Sequence, residues 1–121
     1  MIRAAILLIA ALAAIPAGAA DPAAGARVFD RCKVCHTLEA GGRATLGPNL
    51  HHVYGRAAGS AEGFKSSDPM KNSGIEWNDD TLGRFLRDPK GALPGNRMAF
   101  PGIKDDEELA DLLAYLKQAT Q

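Results

Sequence analysis

Apolar residues recur at helical spacing in three separated stretches of this chain, and between them the periodicity disappears. The first stretch opens with Asp21-Pro22, a capping carboxylate before a proline suited to the first helical position, and runs through Gly25, Val28 and Phe29 toward Cys32. Gly25 and Phe29, four apart, share a face, and a glycine inside a helix implies that another backbone approaches there. The second stretch follows Asn78-Asp79-Asp80, with Leu82, Phe85 and Leu86 in phase until Asp88-Pro89 ends it. The third is the clearest: Asp105, Asp106, Glu107 and Glu108 fill a first turn, Leu109, Leu112, Leu113 and Leu116 build an apolar face, and Lys117 lies near the end.

Between the first two stretches, Gly41-Gly42, Gly47-Pro48, Gly55, Gly59 and Gly63 punctuate a long loop. Leu46, Leu50, Val53, Tyr54 and Phe64 are spread through it, whereas a disordered segment lacks such residues. Ser67-Asp68-Pro69 begins one or two short helical turns carrying Met70 and stopped by Gly74, and Ile75-Glu76-Trp77 is extended. Gly91 to Pro101 reads as a further loop with its turn at Pro94-Gly95.

Composition adds a constraint. The chain has 121 residues, one small domain's worth, with seven aromatic residues, a thin core for so much loop. A large apolar cofactor would fill the gap. Fourteen Lys and Arg balance fourteen Asp and Glu, which argues against nucleic acid as the partner.

The N-terminus is expected to lie apart from that domain. Met1-Ile2-Arg3 supplies a positive start, Ala4 to Ile15 an apolar run, and Pro16-Ala17-Gly18-Ala19-Ala20 a small-residue cleavage region. This describes a secretory signal peptide over residues 1–20, with the mature domain spanning residues 21–121. No later segment is apolar for the ~20 residues of a membrane span.

Cys32-Lys33-Val34-Cys35-His36 carries the chemistry. The spacing C-x-x-C-H suits c-type haem attachment, with two thioethers and an imidazole for the iron; taken alone, a redox dithiol or half of a zinc site also fits. Export favours haem, because two thiols in an oxidising compartment otherwise form a disulfide, here a strained small ring. His51 and His52 do not complete a zinc site, since no second cysteine pair accompanies them.

Beyond the pentad, Thr45-Leu46-Gly47-Pro48-Asn49-Leu50-His51, Tyr54-Gly55-Arg56, Gly63-Phe64, Gly74-Ile75-Glu76-Trp77, Asp88-Pro89-Lys90, Pro94-Gly95-Asn96-Arg97-Met98-Ala99-Phe100 and Tyr115-Leu116-Lys117 together resemble the class I c-type cytochromes, the soluble, mitochondrial-like cytochrome c family. The resemblance covers nearly all of residues 21–121. It implies an all-α cytochrome c fold, three main helices plus short helical turns and long loops wrapped around one covalently bound haem c. It implies Cys32 and Cys35 as the attachment points and His36 and Met98 as axial ligands, with Met70 packing rather than ligating. The Pro48 carbonyl would accept the second N–H of His36, while Arg56 and Trp77 would serve a buried propionate. Gly25 and Phe29 would cross Leu112 and Tyr115.

Two departures from the family stand out. Ser66 occupies a position where relatives often carry a tyrosine beside the propionate. Phe85 stands where many carry a tyrosine bonded to the methionine sulfur, and it cannot donate.

A six-coordinate iron exchanges electrons without binding substrate. The resemblance therefore implies a periplasmic one-electron carrier and no enzyme, monomeric, serving quinol:cytochrome c oxidoreductase, a terminal oxidase or a periplasmic dehydrogenase. Alternatives are an electron-accepting subunit dedicated to one dehydrogenase, and a haem peroxidase if the Met98 bond is labile. Arg31, Lys33, Arg87, Lys90 and Arg97 are expected to ring an exposed haem edge and steer acidic partners.

Overall fold

The computed structural model describes residues 10, 11 and 19–121. The expected leader, residues 1–20, lies outside them apart from Ala10, Ala11, Ala19 and Ala20. Among the described residues no helix is long and apolar enough to cross a membrane.

The described residues form five helices in order: α1 (Pro22–Phe29), α2 (Asp68–Lys71), α3 (Asp79–Arg87), α4 (Pro89–Ala92) and α5 (Asp106–Ala119). Their starts are written in the sequence as side-chain caps for the unpaired N–H groups of a first turn. Asp21 accepts from the Ala23 N–H at 2.9 Å, and Asp105 from Glu108 at 2.8 Å. Asn78 and Thr81 cap α3 reciprocally, each side chain bonding the other's backbone N–H at 2.9 Å.

α1 packs across α5. At the crossing a Cβ on Gly25 would lie 1.9 Å from the Asp111 carbonyl oxygen and 2.8 Å from Tyr115 Cβ, so only glycine admits this approach. One turn on, the rings of Phe29 and Tyr115 meet with centroids 5.7 Å apart. Phe29, Leu109, Leu112 and Leu116 are buried here with Ile103. A second cluster, Val53, Ala58, Trp77, Leu82, Phe85 and Leu93, lies under α3, and Leu50, Tyr54, Leu86 and Leu113 border both. The crossing expected of Gly25 and Phe29 with Leu112 and Tyr115 is therefore present, with the Asp111 backbone as its closest point.

Two helix boundaries differ from the sequence reading. α1 proper ends at Phe29, and the chain reaches His36 through tighter turns, with Cys32 N–H on Phe29 C=O at 2.7 Å and Cys35 and His36 N–H on Cys32 C=O at 3.0 Å. The Cys32 and Cys35 bonds are of the i→i+3 kind that commonly tightens a helix end. Gly91 and Ala92, read as loop, belong to α4, because Pro89 stands at its first position and the Asp88 carboxylate accepts the Gly91 N–H at 3.1 Å.

The long loop is held by sparse, long-range bonds. A lone antiparallel bridge pairs Ala57 with Glu76, flanked by Trp77 N–H on Arg56 C=O at 3.0 Å and Gly55 N–H on Trp77 C=O at 2.7 Å. This fixes Trp77 and Arg56 next to each other across the loop.

Candidate functional site

The turns after α1 present Cys32, Cys35 and His36, all half-buried, and both thiols are free. Burial pushes the Cys32 thiol up, against the lowering influence of Arg31 and with a smaller raising one from Cys35. The loop then folds back over the histidine. Gly47 N–H and the Thr45 hydroxyl both donate to the Cys35 carbonyl, at 2.9 and 2.8 Å. This brings the Pro48 carbonyl to 2.7 Å from His36 Nδ1.

A carbonyl only accepts, so Nδ1 carries the proton and Nε2 keeps its lone pair. Burial pushes the His36 pKa down; the Pro48 bond opposes this, and the nearby Arg56 charge adds to it. The result is the neutral imidazole that metal ligation requires, oriented through its second nitrogen.

In front of this imidazole lies a cavity of about 540 Å³, within the ~300–1,000 Å³ typical of cofactor sites. Cys35, His36, Pro48, Arg56, Trp77 and Met98 all line it, with Ser66, Met70 and Phe85. A smaller cavity of about 120 Å³ adjoins it, shares Cys35, His36 and Met98, and adds Cys32 and Phe29. All seven residues expected from the sequence therefore converge on one connected space from four separate stretches of chain.

The walls differ in character. Trp77 and Phe85 are buried, their rings 5.2 Å apart. Arg56 reaches the Asn49 and His51 carbonyls through Nη1, at 3.1 and 3.3 Å, and burial lowers its pKa. On the loop after α4, Asn96 accepts the Met98 N–H at 3.0 Å while its own NH₂ donates to Pro89 and Leu93 carbonyls at 2.8 Å. Met70, on α2, and Ser66 face the same cavity.

Gly47 is a site residue that the sequence reading did not single out. A Cβ there would lie 2.6 Å from His36 Cε1 and 2.9 Å from both ring nitrogens, so the imidazole sits on bare backbone. Only the fold-back of the loop reveals this contact.

Three of the five residues expected in the basic ring form ion pairs within the molecule. Arg31 pairs with Glu108 at 2.9 Å, Lys33 with Asp30 and Arg87 with Asp106, both at 2.5 Å. Arg97, which donates to the Lys65 carbonyl, lines the larger cavity. His51 and His52 stack ring on ring, centroids 3.9 Å apart. Among the described residues no group of three or more His, Cys, Asp or Glu is placed to hold a metal ion.

The residues present fit a flat, mostly apolar group that carries its own metal: a soft thioether and a neutral imidazole on the walls, two thiols at the edge, and a cationic side chain for an acidic substituent.

The sequence profile of the cytochrome c family matches residues 22–120. Cytochrome c2 of Blastochloris viridis is 44% identical over 112 residues, covering 93% of this chain and 88% of the relative. Cytochrome c2 iso-2 of Magnetospirillum fulvum is 51% identical over 89 residues, covering 74% and 92%. The solved structure of cytochrome cH from Methylobacterium extorquens superposes with a TM-score of 0.76 at 43% identity, covering 81% of this chain and 98% of that one. The chain belongs to the cytochrome c family, and it is an electron carrier with one covalently attached haem c rather than an enzyme.

Proposed function

We propose that this protein is a periplasmic one-electron shuttle whose iron is held between His36 and Met98, with Cys32 and Cys35 as thioether anchors. The observation that carries the reading is the convergence of His36 and Met98 on one cavity, with His36 Nδ1 committed to Pro48 and Nε2 left as the ligating atom. Bound haem supplies a ferric/ferrous couple. The protein's residues do the rest: the Pro48 carbonyl fixes the imidazole plane, and Asn96 holds the Met98 backbone. Among the described residues Arg56 bonds protein through Nη1, so its Nη2 and Nε remain for a propionate in the cavity that Trp77 also lines. With both His36 and Met98 given to the iron, no position would remain for substrate, which suits electron transfer.

The small-residue run ending at Ala20 supports export, and the carrier is a periplasmic monomer. Donors and acceptors are exported redox proteins: quinol:cytochrome c oxidoreductase, a terminal oxidase or a periplasmic dehydrogenase. Val34, between the two cysteines, and Leu46, at the cavity wall, are 73% and 78% exposed. They offer an apolar contact where such a partner needs to approach the haem edge.

Absorption spectra of the oxidised and reduced protein test the ligand set. Wild type should show the weak methionine-to-iron band when oxidised and should not bind carbon monoxide when reduced. Met98→Ala should lose the band and bind carbon monoxide; retention of the band in Met98→Ala would overturn the assignment, with Met70 the next sulfur to replace.

A further inference from the structure

We infer that Asp111 is the receptor for the α-ammonium group released when the leader is cut between Ala20 and Asp21. Asp111 is 7% exposed, at the point where α5 crosses α1. Its carboxylate accepts the Asp21 backbone N–H at 2.7 Å, and among the described residues no lysine or arginine pairs with it. A buried carboxylate served by a single neutral amide is poorly compensated. Cleavage at Ala20–Asp21 changes that same nitrogen from a neutral amide into a cation.

Ala19 and Ala20 are exposed, so the bond to be cut is accessible. The charge also has a cost to offset. An α-ammonium at the start of α1 faces the positive end of the helix dipole, which opposes it. The Asp21 side chain, capping Ala23 at 2.9 Å, and the Asp111 carboxylate both face it with opposite charge. A hydrogen bond between charged groups outweighs the dipole term. Processing thereby turns a hydrogen bond into an ion pair that clamps α1 to α5.

The inference rests on the export reading, and the experiment separates the two. Intact mass of the mature holoprotein gives the first residue. A chain starting at Asp21 supports the inference; one starting at Ala20 overturns it while leaving export intact; one starting at Met1 overturns both. Given an Asp21 start, denaturant unfolding of the holoprotein is compared with a form retaining Ala20, and both are repeated with Asp111→Asn. The Ala20 form, which keeps the amide bond and lacks only the charge, should have a folding constant about tenfold smaller, the effect of adding the second charge to a partly buried pair. With Asp111→Asn that difference should shrink to about twofold or less. A tenfold effect that persists in Asp111→Asn, or no effect in either background, overturns the inference. The Ala20 form keeps Asp111 and the haem site intact, so the test does not depend on Asp111→Asn being stable.

Discussion

Gly25 and Gly83 both lie inside helices, and the structure assigns them opposite responses to alanine. In a free helix either change gains about 1 kcal/mol from lower backbone entropy in the unfolded chain. At Gly83 that gain survives, since the new Cβ would rest 3.5 Å from Leu113 Cδ1, an ordinary contact. At Gly25 the Cβ would stand 1.9 Å from the carbonyl oxygen and 2.5 Å from the carbonyl carbon of Asp111, both backbone atoms that no rotamer can clear. Relief to the ~3.3 Å of a close C–H···O contact separates α1 from α5 by about 1.4 Å. A gap of even ~0.5–1 Å forfeits a quarter to a half of each dispersion contact. Phe29, Leu109, Leu112 and Leu116 all pack in this cluster, so the loss reaches about 3 kcal/mol, the upper end for overpacking. The propensity gain leaves a net loss of about 2 kcal/mol, or roughly 8–16 °C in Tm for a domain of this size. Thermal and denaturant unfolding of the ferric holoprotein, followed by far-UV circular dichroism, measures it. Gly25→Ala should fall by that amount, and Gly83→Ala should rise by about 0.5–1 kcal/mol. A Gly25→Ala protein as stable as wild type would refute the close crossing.

Other sites yield sharper spectroscopic readouts. Gly47→Ala pushes a Cβ into the His36 ring and should tilt the imidazole off its Pro48 bond, moving the paramagnetic shifts of the haem methyl protons; unchanged shifts would contradict the contact. Phe85→Tyr brings a phenol to the cavity wall and should displace the midpoint potential by introducing a hydrogen-bond donor to the Met98 sulfur, which potentiometric titration checks. The single Tyr54 hydroxyl proton lies between two acceptors, Asp79 at 2.8 Å and the Leu113 carbonyl at 3.1 Å; burial foremost, then the Asp79 bond and charge, raises its pKa above the usual 10.0. Because the folded state holds this proton more tightly than the unfolded, its contribution is complete below the ordinary tyrosine range and declines as pH rises above it. The denaturant midpoint should therefore fall between about pH 9 and 11, and less steeply in Tyr54→Phe; parallel curves would remove Tyr54 from the account.

Local chemistry made much of this protein legible. The caps at Asp21, Asn78 and Asp105, the helical phase of Leu82 and Phe85 and of Leu109 to Leu116, and the cysteine spacing all act within about one helical turn, so the residues alone determined α1, α3, α5 and the place of the haem attachment. The partnerships across the chain were decided by tertiary structure. Gly47 gives no local sign that an imidazole will rest on it, and Asp88 reads as a helix end although it also begins α4. Nothing near Arg31 or Arg87 indicates that Glu108 and Asp106 will claim them and thin the basic ring. Such contacts depend on how the long loop closes and how α1 crosses α5. Loop closure has no periodicity to read, because its geometry is set by a few distant hydrogen bonds and by the cavity it encloses. The pairing of the Asp21 nitrogen with Asp111, ninety positions away, belongs to the same class: the sequence supplied both groups, and the helix crossing decided that they meet.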